Sequence, residues 1–287
     1  MNIKIILLAI LLLLPSILLS ATIEESVQKI KTGDVGICGE GLRELIDKGA
    51  EAIPALISLL DNQAKTVKIV AMIGLGRIRD EKAIKPIINK LKTDKDVDVR
   101  YAAAGVLGYF NTPESSSVLK RALYDPNHKV QVIAACALGM HGDNSGYDIA
   151  EKAALGNDNS VKKDAITALG YIGDEKGRPI LEQAKNNPGT KNEASVALKQ
   201  LEIVQSILEN PKRAKSVRLE KLKEALNDNN STVSQWALDN LLIDIDAKDK
   251  ETMQFLKQAA KNKSNKESRS IIKELKRRGI ETEEGEK

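Results

Sequence analysis

Aromatic side chains are scarce in this chain: one Trp, two Phe and five Tyr make up 3% of its 287 residues. A buried aromatic ring brings about 150–250 Å² of contact area. Their scarcity argues against a large globular enzyme core, and the dominance of Ala, Leu, Ile and Lys fits many small helix–helix contacts instead. Histidine is scarce too, with only His128 and His141, so no Ser/His/Asp constellation is argued. No sign of charge dominates: 44 Lys and Arg against 40 Asp and Glu leave a formal net charge of +4. That excludes a global nucleic-acid signature. The stretch GICGEG (36–41) holds three glycines but lacks phosphate-loop spacing and follows no strand. It reads as a turn entering the first repeat. No catalytic, metal or cofactor-binding residue is assigned.

The N-terminus, MNIKIILLAILLLLPSILLSATIEES, has Lys4 as its only charge before Glu24. The apolar run Ile5–Leu14 follows, then Pro15, Ser16 and a short second run ending at Ser20 and Ala21. A basic start, an apolar middle and small residues at the end are the parts of a secretory signal peptide over 1–21. The competing reading is a retained anchor, but Pro15 and Ser16 interrupt a stretch already at the short limit of the roughly 17–25 residues that span a bilayer. No cysteine stands near the cleavage point, which excludes a lipid anchor on Cys. An exported chain is expected to be periplasmic or secreted.

Only two cysteines are present, Cys38 and Cys136. Cys38 lies before the first full repeat and Cys136 several repeats later. Helices pack about 8–10 Å apart, so stacking separates the two far beyond the roughly 4.4–6.8 Å between Cα atoms that a disulfide allows. Two unpaired thiols are expected.

What the chain does have is a repeated phrase. TVKIVAMIGLGRIRDEKAIKPIINKL (66–91) returns as DVRYAAAGVLGYFNTPESSSVLKRAL (98–123), KVQVIAACALGMHGDNSGYDIAEKAA (129–154) and SVKKDAITALGYIGDEKGRPILEQAK (160–185). Apolar residues recur at helical spacing in each, as in Val99, Ala102, Ala103, Val106, Leu107 and Phe110. Gly76, Gly108, Gly139 and Gly170 set a period of 31–32 residues. Asp80, Thr112, Asp143 and Asp174 stand where a side-chain oxygen accepts from the first amides of a second helix, and Pro113 suits a first helical position. Two short helices repeating at this period predict an all-α solenoid of stacked pairs. A helix over Ile23–Lys31 caps the N-terminus (22–33), regular repeats run over 34–187, and looser ones with a closing helix over 188–279. An acidic tail, 280–287, is expected to fray. His141 replaces the apolar residue of the stripe and is expected to satisfy nearby carbonyls. Asp164, polar on the same stripe, is expected to link repeats.

The phrases VRYAAAGVLGYF, VQVIAACALGMHGD and VKKDAITALGYIGD resemble HEAT repeats of the phycobilisome-lyase-like type. The resemblance implies the solenoid fold. It also implies a superfamily that includes bilin lyases, deoxyhypusine hydroxylase and scaffolds that only bind. The hydroxylase branch carries His-Glu dipeptides that hold two irons, whereas His128 precedes Lys129 and His141 precedes Gly142, so that di-iron set is absent.

Charge is uneven only in the C-terminal third. Lys212, Arg213, Lys215, Arg218, Lys221 and Lys223 face Glu220 alone within 212–223, and nine cations, among them Arg269, Lys273, Arg277 and Arg278, fall within 257–278. The expected function is a monomeric, non-catalytic exported scaffold that binds a protein partner in the cell envelope. Its second helices and turns would form the binding face. The alternative is an accessory factor holding anionic envelope lipid or polymer through the basic third, with a lyase-like enzyme as the third reading. No nucleic-acid partner and no cofactor are expected.

Overall fold

The computed structural model describes residues 21–244, 250–262 and 272. The expected signal segment, apart from Ala21, lies outside the described residues, as do most of the closing helix and the acidic tail. Every regular element among the described residues is helical, as the period predicts. The chain divides into two compact units, 1–149 and 150–287.

Unit one opens with α1 (Ile23–Lys31), whose start is a capping box: Thr22 accepts from the Glu25 amide, and Glu25 accepts from the Thr22 amide. The next helix, α2 (Val35–Lys48), corrects the sequence reading of GICGEG as a turn. Asp34 accepts from the Ile37 amide and starts a helix that runs through all three glycines. Gly41 has a packing reason to be there. A Cβ on it would lie 2.5 Å from the carbonyl oxygen of Ser26, so its absence lets α1 and α2 cross at backbone contact.

The pairs that follow are α2 with α3 (Ile53–Leu59), α4 (Lys65–Ile78) with α5 (Ile84–Thr93), α6 (Val97–Leu107) with α7 (Pro113–Ala122), and α8 (His128–Met140) with α9 (Tyr147–Leu155). The boundary between units falls inside α9. First helices stack on first helices, α4 on α6 and α6 on α8. Their Ala-rich faces bury Ala71, Leu75, Ala103, Leu107, Ala134 and Leu138 completely or nearly so. Deep burial of such small residues is how a chain poor in aromatics still makes a continuous core.

Three of the four predicted turn residues cap a second element as expected, whereas Asp143 bonds within a turn that precedes its helix, Tyr147–Leu155. Asp80 accepts from Lys82, Thr112 from Ser115, Asp143 from Ser145 and Asp174 from Lys176. Thr112 caps an α-helix directly, with Pro113 at its start. Asp80 and Asp174 instead cap single 3₁₀ turns, Glu81–Ala83 and Glu175–Gly177, that lead into the second helix. The return turns use the same device: Asp96, Asn127 and Asp158 cap the next first helix.

Unit two contains α10 (Asn159–Ile172) with α11 (Arg178–Lys185), α12 (Lys191–Glu209) with α13 (Ala214–Ala225), and α14 (Ser231–Asp244) with α15 (Lys250–Asn262). Helix α12 packs on both α10 and α11. Leu222, Leu226, Leu238, Leu241 and Leu256 centre a core of their own.

Candidate interaction surfaces

The basic residues picked from the sequence separate into groups once placed. Lys212, Arg213 and Lys215 are exposed around the start of α13, and no ion pair holds them among the described residues. Further along, Arg218 donates to Asn240 Oδ1 at 3.1 Å. Lys221 pairs with Glu224 at 2.9 Å, and the Lys223 ammonium lies 5.5 Å from the centre of the Phe255 ring. The last three cations therefore have structural work inside unit two. Arg269, Lys273, Arg277 and Arg278 lie outside the described residues.

In unit one the cations that the repeats share are tied to the turns. Lys68 meets Asp94 at 2.7 Å, and the Arg100 guanidinium grips both oxygens of Asp125 at 2.9 and 3.0 Å. Burial pushes the Asp125 carboxyl up, but Arg100 and the Asn127 amide outweigh it and hold the group below its ordinary value. Asp143, half-buried yet bonded to Lys120 and to Ser145, is held at about 2. His141 behaves as a packing residue. Its Nδ1 lies 2.9 Å from Ser116 Oγ and its Nε2 3.2 Å from the Leu107 carbonyl, so the neutral ring with Nε2–H donating satisfies both. Burial lowers its pKa, partly offset by the carbonyls of Leu107 and Gly108 and by Asp143.

Both cysteines are buried and no disulfide joins them, as expected. Among the described residues no group of His, Cys, Asp and Glu converges as a metal set. No helix among them is long and apolar enough to cross a membrane. A shallow depression lined by Lys185, Asn186, Pro188 and Lys191 marks the α11–α12 turn.

Sequence reasoning missed a second surface, on the first helices of unit one. Ile73 is 40% exposed on α4, and Tyr109, just past the end of α6, is 45% exposed. A Cβ on Gly76 would sit 2.8 Å from Val106 and 3.4 Å from the Tyr109 ring, so this glycine lets the ring lie against α4. The Arg79 guanidinium is 5.2 Å from the centre of the same ring, within cation–π range. Arg77 and Arg79 are exposed and in no ion pair among the described residues. The signal was present in the sequence as Ile73, Arg77 and Arg79 on one helix end, but only contact with α6 turns them into a surface.

The HEAT repeats family matches residues 53–139 and 84–165. No curated protein matches the chain. Among solved structures it is similar to the complex of CpcE and CpcF of phycocyanin lyase from Nostoc sp. PCC7120, with 18% identity, a TM-score of 0.45, and coverage of 78% of this chain and 93% of that one. It is also similar to human deoxyhypusine hydroxylase in complex with glycerol, with 18% identity, a TM-score of 0.40, and coverage of 89% and 95%. An engineered protein matches with 23% identity, a TM-score of 0.37, and coverage of 63% and 96%. Nothing about this chain's chemistry follows from likeness at that level.

Proposed function

We propose, from the HEAT repeats that this chain carries, that it is a non-catalytic scaffold binding a protein partner in the cell envelope. One observation carries this reading. The recurrent polar side chains of unit one are engaged in caps and ion pairs, while apolar and aromatic side chains, Ile73, Tyr109 and the 86% exposed Tyr124, face outward. A surface of that kind gains affinity from contact area. Export rests on the N-terminal sequence pattern, and cleavage near Ser20 or Ala21 would leave the Thr22–Glu25 capping box intact.

The test is cross-linking capture from native envelope, with the chain from residue 22 as bait and washes at low and high salt. One protein retained through high salt supports the scaffold. Retention of nothing, or purification of the chain with a bound chromophore or stoichiometric metal, overturns it. A second reading has its own observation in Lys212, Arg213 and Lys215, exposed around the start of α13. Capture of anionic lipid or polymer that fades as salt rises would favour it.

A further inference from the structure

The turn after α4 is built against its own backbone preference. Arg79 ends the helix in the left-handed region, at φ 59° and ψ 33°, and among the described residues no other non-glycine residue has a positive φ. Two and three repeats later the same position is Gly142 (φ 77°) and Gly173 (φ 70°), the residue that this conformation favours. A strained side chain in place of an available glycine is a reason to look for what the side chain does. Arg79 lays its guanidinium on Tyr109.

The neighbourhood supplies a pattern of chemistry. Ile73 and Arg77 are one helical turn apart and share a face of α4. Helix α4 contains no carboxylate, and of the two acids that follow it Asp80 is turned to the Lys82 amide. Its end therefore carries two guanidinium groups in no ion pair among the described residues, beside an exposed isoleucine and tyrosine. At the opposite end of the same two helices the charge is already balanced, with Lys65 on Asp98 at 2.5 Å and near Asp96 at 3.6 Å.

Resting on the scaffold reading above, we propose that the face formed by Ile73, Tyr109, Arg77 and Arg79 docks an amphipathic helix of the partner protein. Its apolar side chains cover Ile73 and Tyr109, and an acidic residue pairs with Arg77 and Arg79. The exterior of a helix offers no unpaired backbone groups, so strand addition is ruled out and side chains must do the recognition. Guanidinium groups suit a carboxylate held in a fork. A second copy fits poorly, because a two-fold contact sets the patch against itself and brings arginines together.

The experiment places a photo-cross-linking residue at Ile73 in the full chain in its own cells, and maps what it reaches by mass spectrometry. The mapped segment is then synthesised, and its binding to wild type, Arg79→Gly and Tyr109→Ala is measured. The expected segment is helical, apolar on one face and acidic at one end, and each substitution weakens binding about tenfold or more. Arg79→Gly is the decisive variant, since relief of the backbone should leave the melting temperature equal or higher while binding falls. Cross-links to lipid or to a second copy, or a segment without acids, overturn the proposal. Wild-type-like binding by both variants rejects this face and leaves the scaffold standing. No protein retained by the wild type at any position rejects both.

Discussion

In unit one the turn aspartates Asp94 and Asp125 each receive a cation, Lys68 or Arg100, from the first helix of their own pair. One and two repeats beyond Asp125, the pattern is gone: Gly156 stands after α9, and Asn187 after α11 uses its side chain on the Gly189 amide. Unit two is joined by other means. Helix α10 meets α12 at Gly170, where a Cβ would lie 2.6 Å from the Ala197 Cα, and α12 extends to 19 residues. Two buried side-chain atoms of unit two, Gln200 Oε1 and Trp236 Nε1, have no hydrogen-bond partner. Close backbone approach is found in both units, at Gly41 and Gly146 as well as Gly170, so the contrast teaches that the charge clamp at the turns is an addition to a repeat pattern that also holds without it.

The largest effect should come from breaking the charge device where it is driest. The Arg100 and Asp125 side chains are only 13% and 9% exposed, so Arg100→Ala strands a carboxylate and should cost about 3 kcal/mol. The corresponding cut in unit two, Lys163→Ala, removes a lysine 57% exposed from its pair with Glu193 and should cost roughly 0–1 kcal/mol. Denaturant unfolding, with hydrogen exchange followed separately in each unit, measures both. Equal losses would erase the distinction.

Close approach gives the next test, with a larger loss expected at Gly170 than at its equivalent Gly76. At Gly170 the added methyl of Gly170→Ala meets backbone, including the Ala197 carbonyl oxygen at 2.8 Å, and should destabilise by about 1–3 kcal/mol. At the equivalent Gly76 it meets only side-chain atoms, Val106 at 2.8 Å and the Tyr109 ring at 3.4 Å, though the β-branched Val106 is stiff and must shift. There the better helix propensity of Ala, worth up to about 1 kcal/mol, offsets part of the crowding and leaves the smaller loss. A larger loss at Gly76 than at Gly170 would show the crossings to be ranked wrongly.

The architecture was legible because it depends on local, repeating signals. Apolar spacing gave the helices, and Asp80, Thr112 and Asp174 gave the starts of their second elements, while Asp143 marks only the turn before Tyr147–Leu155. GICGEG was misread because glycine content suggests a turn, whereas the Asp34 cap and the crossing at Gly41 make it helix. The candidate surfaces were less legible. Arg218 and Lys223 are engaged by Asn240 and Phe255, which lie on other helices, and no local pattern announces such partners. Arg79 was hidden for a similar reason: its ring partner comes from the next repeat, and its backbone strain shows only in three dimensions.

Acid should separate the units by a smaller margin. The folded pKa of His141 is below its ordinary value because burial disfavours the imidazolium, so the unfolded chain takes up the proton first. Stability is therefore full above about pH 6.5 and falls as pH drops toward the folded value, with a slope of at most about 1.4 kcal/mol per pH unit for one proton. His141→Ile, matching Ile78 and Ile172 at the same repeat position, should flatten the profile between pH 7 and 5. It should leave untouched the loss that sets in as pH falls below about 4, the ordinary carboxylate value at which the unfolded chain takes up protons. That loss is complete once the folded carboxyls of Asp94 and Asp125, held lower, and of Asp143, at about 2, are protonated as well. Hydrogen exchange should place both losses in unit one, and an unchanged slope in the variant would rule out His141 as their source.

The smallest effect concerns the start of α13, where cations oppose the helix dipole. Lys215 is exposed in the first turn with no acid beside it, so Lys215→Glu should stabilise unit two by about 0.3–1 kcal/mol at low salt, a gain that salt removes. The same substitution bears on which surface works. If Lys212, Arg213 and Lys215 hold anionic envelope material, Lys215→Glu makes the protein more stable and its binding weaker, as Arg79→Gly does for the helix-docking face. Comparing the two variants in one capture experiment then assigns the function to a unit. Loss with Arg79→Gly alone places binding on unit one, and loss with Lys215→Glu alone places it on unit two, without either change compromising the fold.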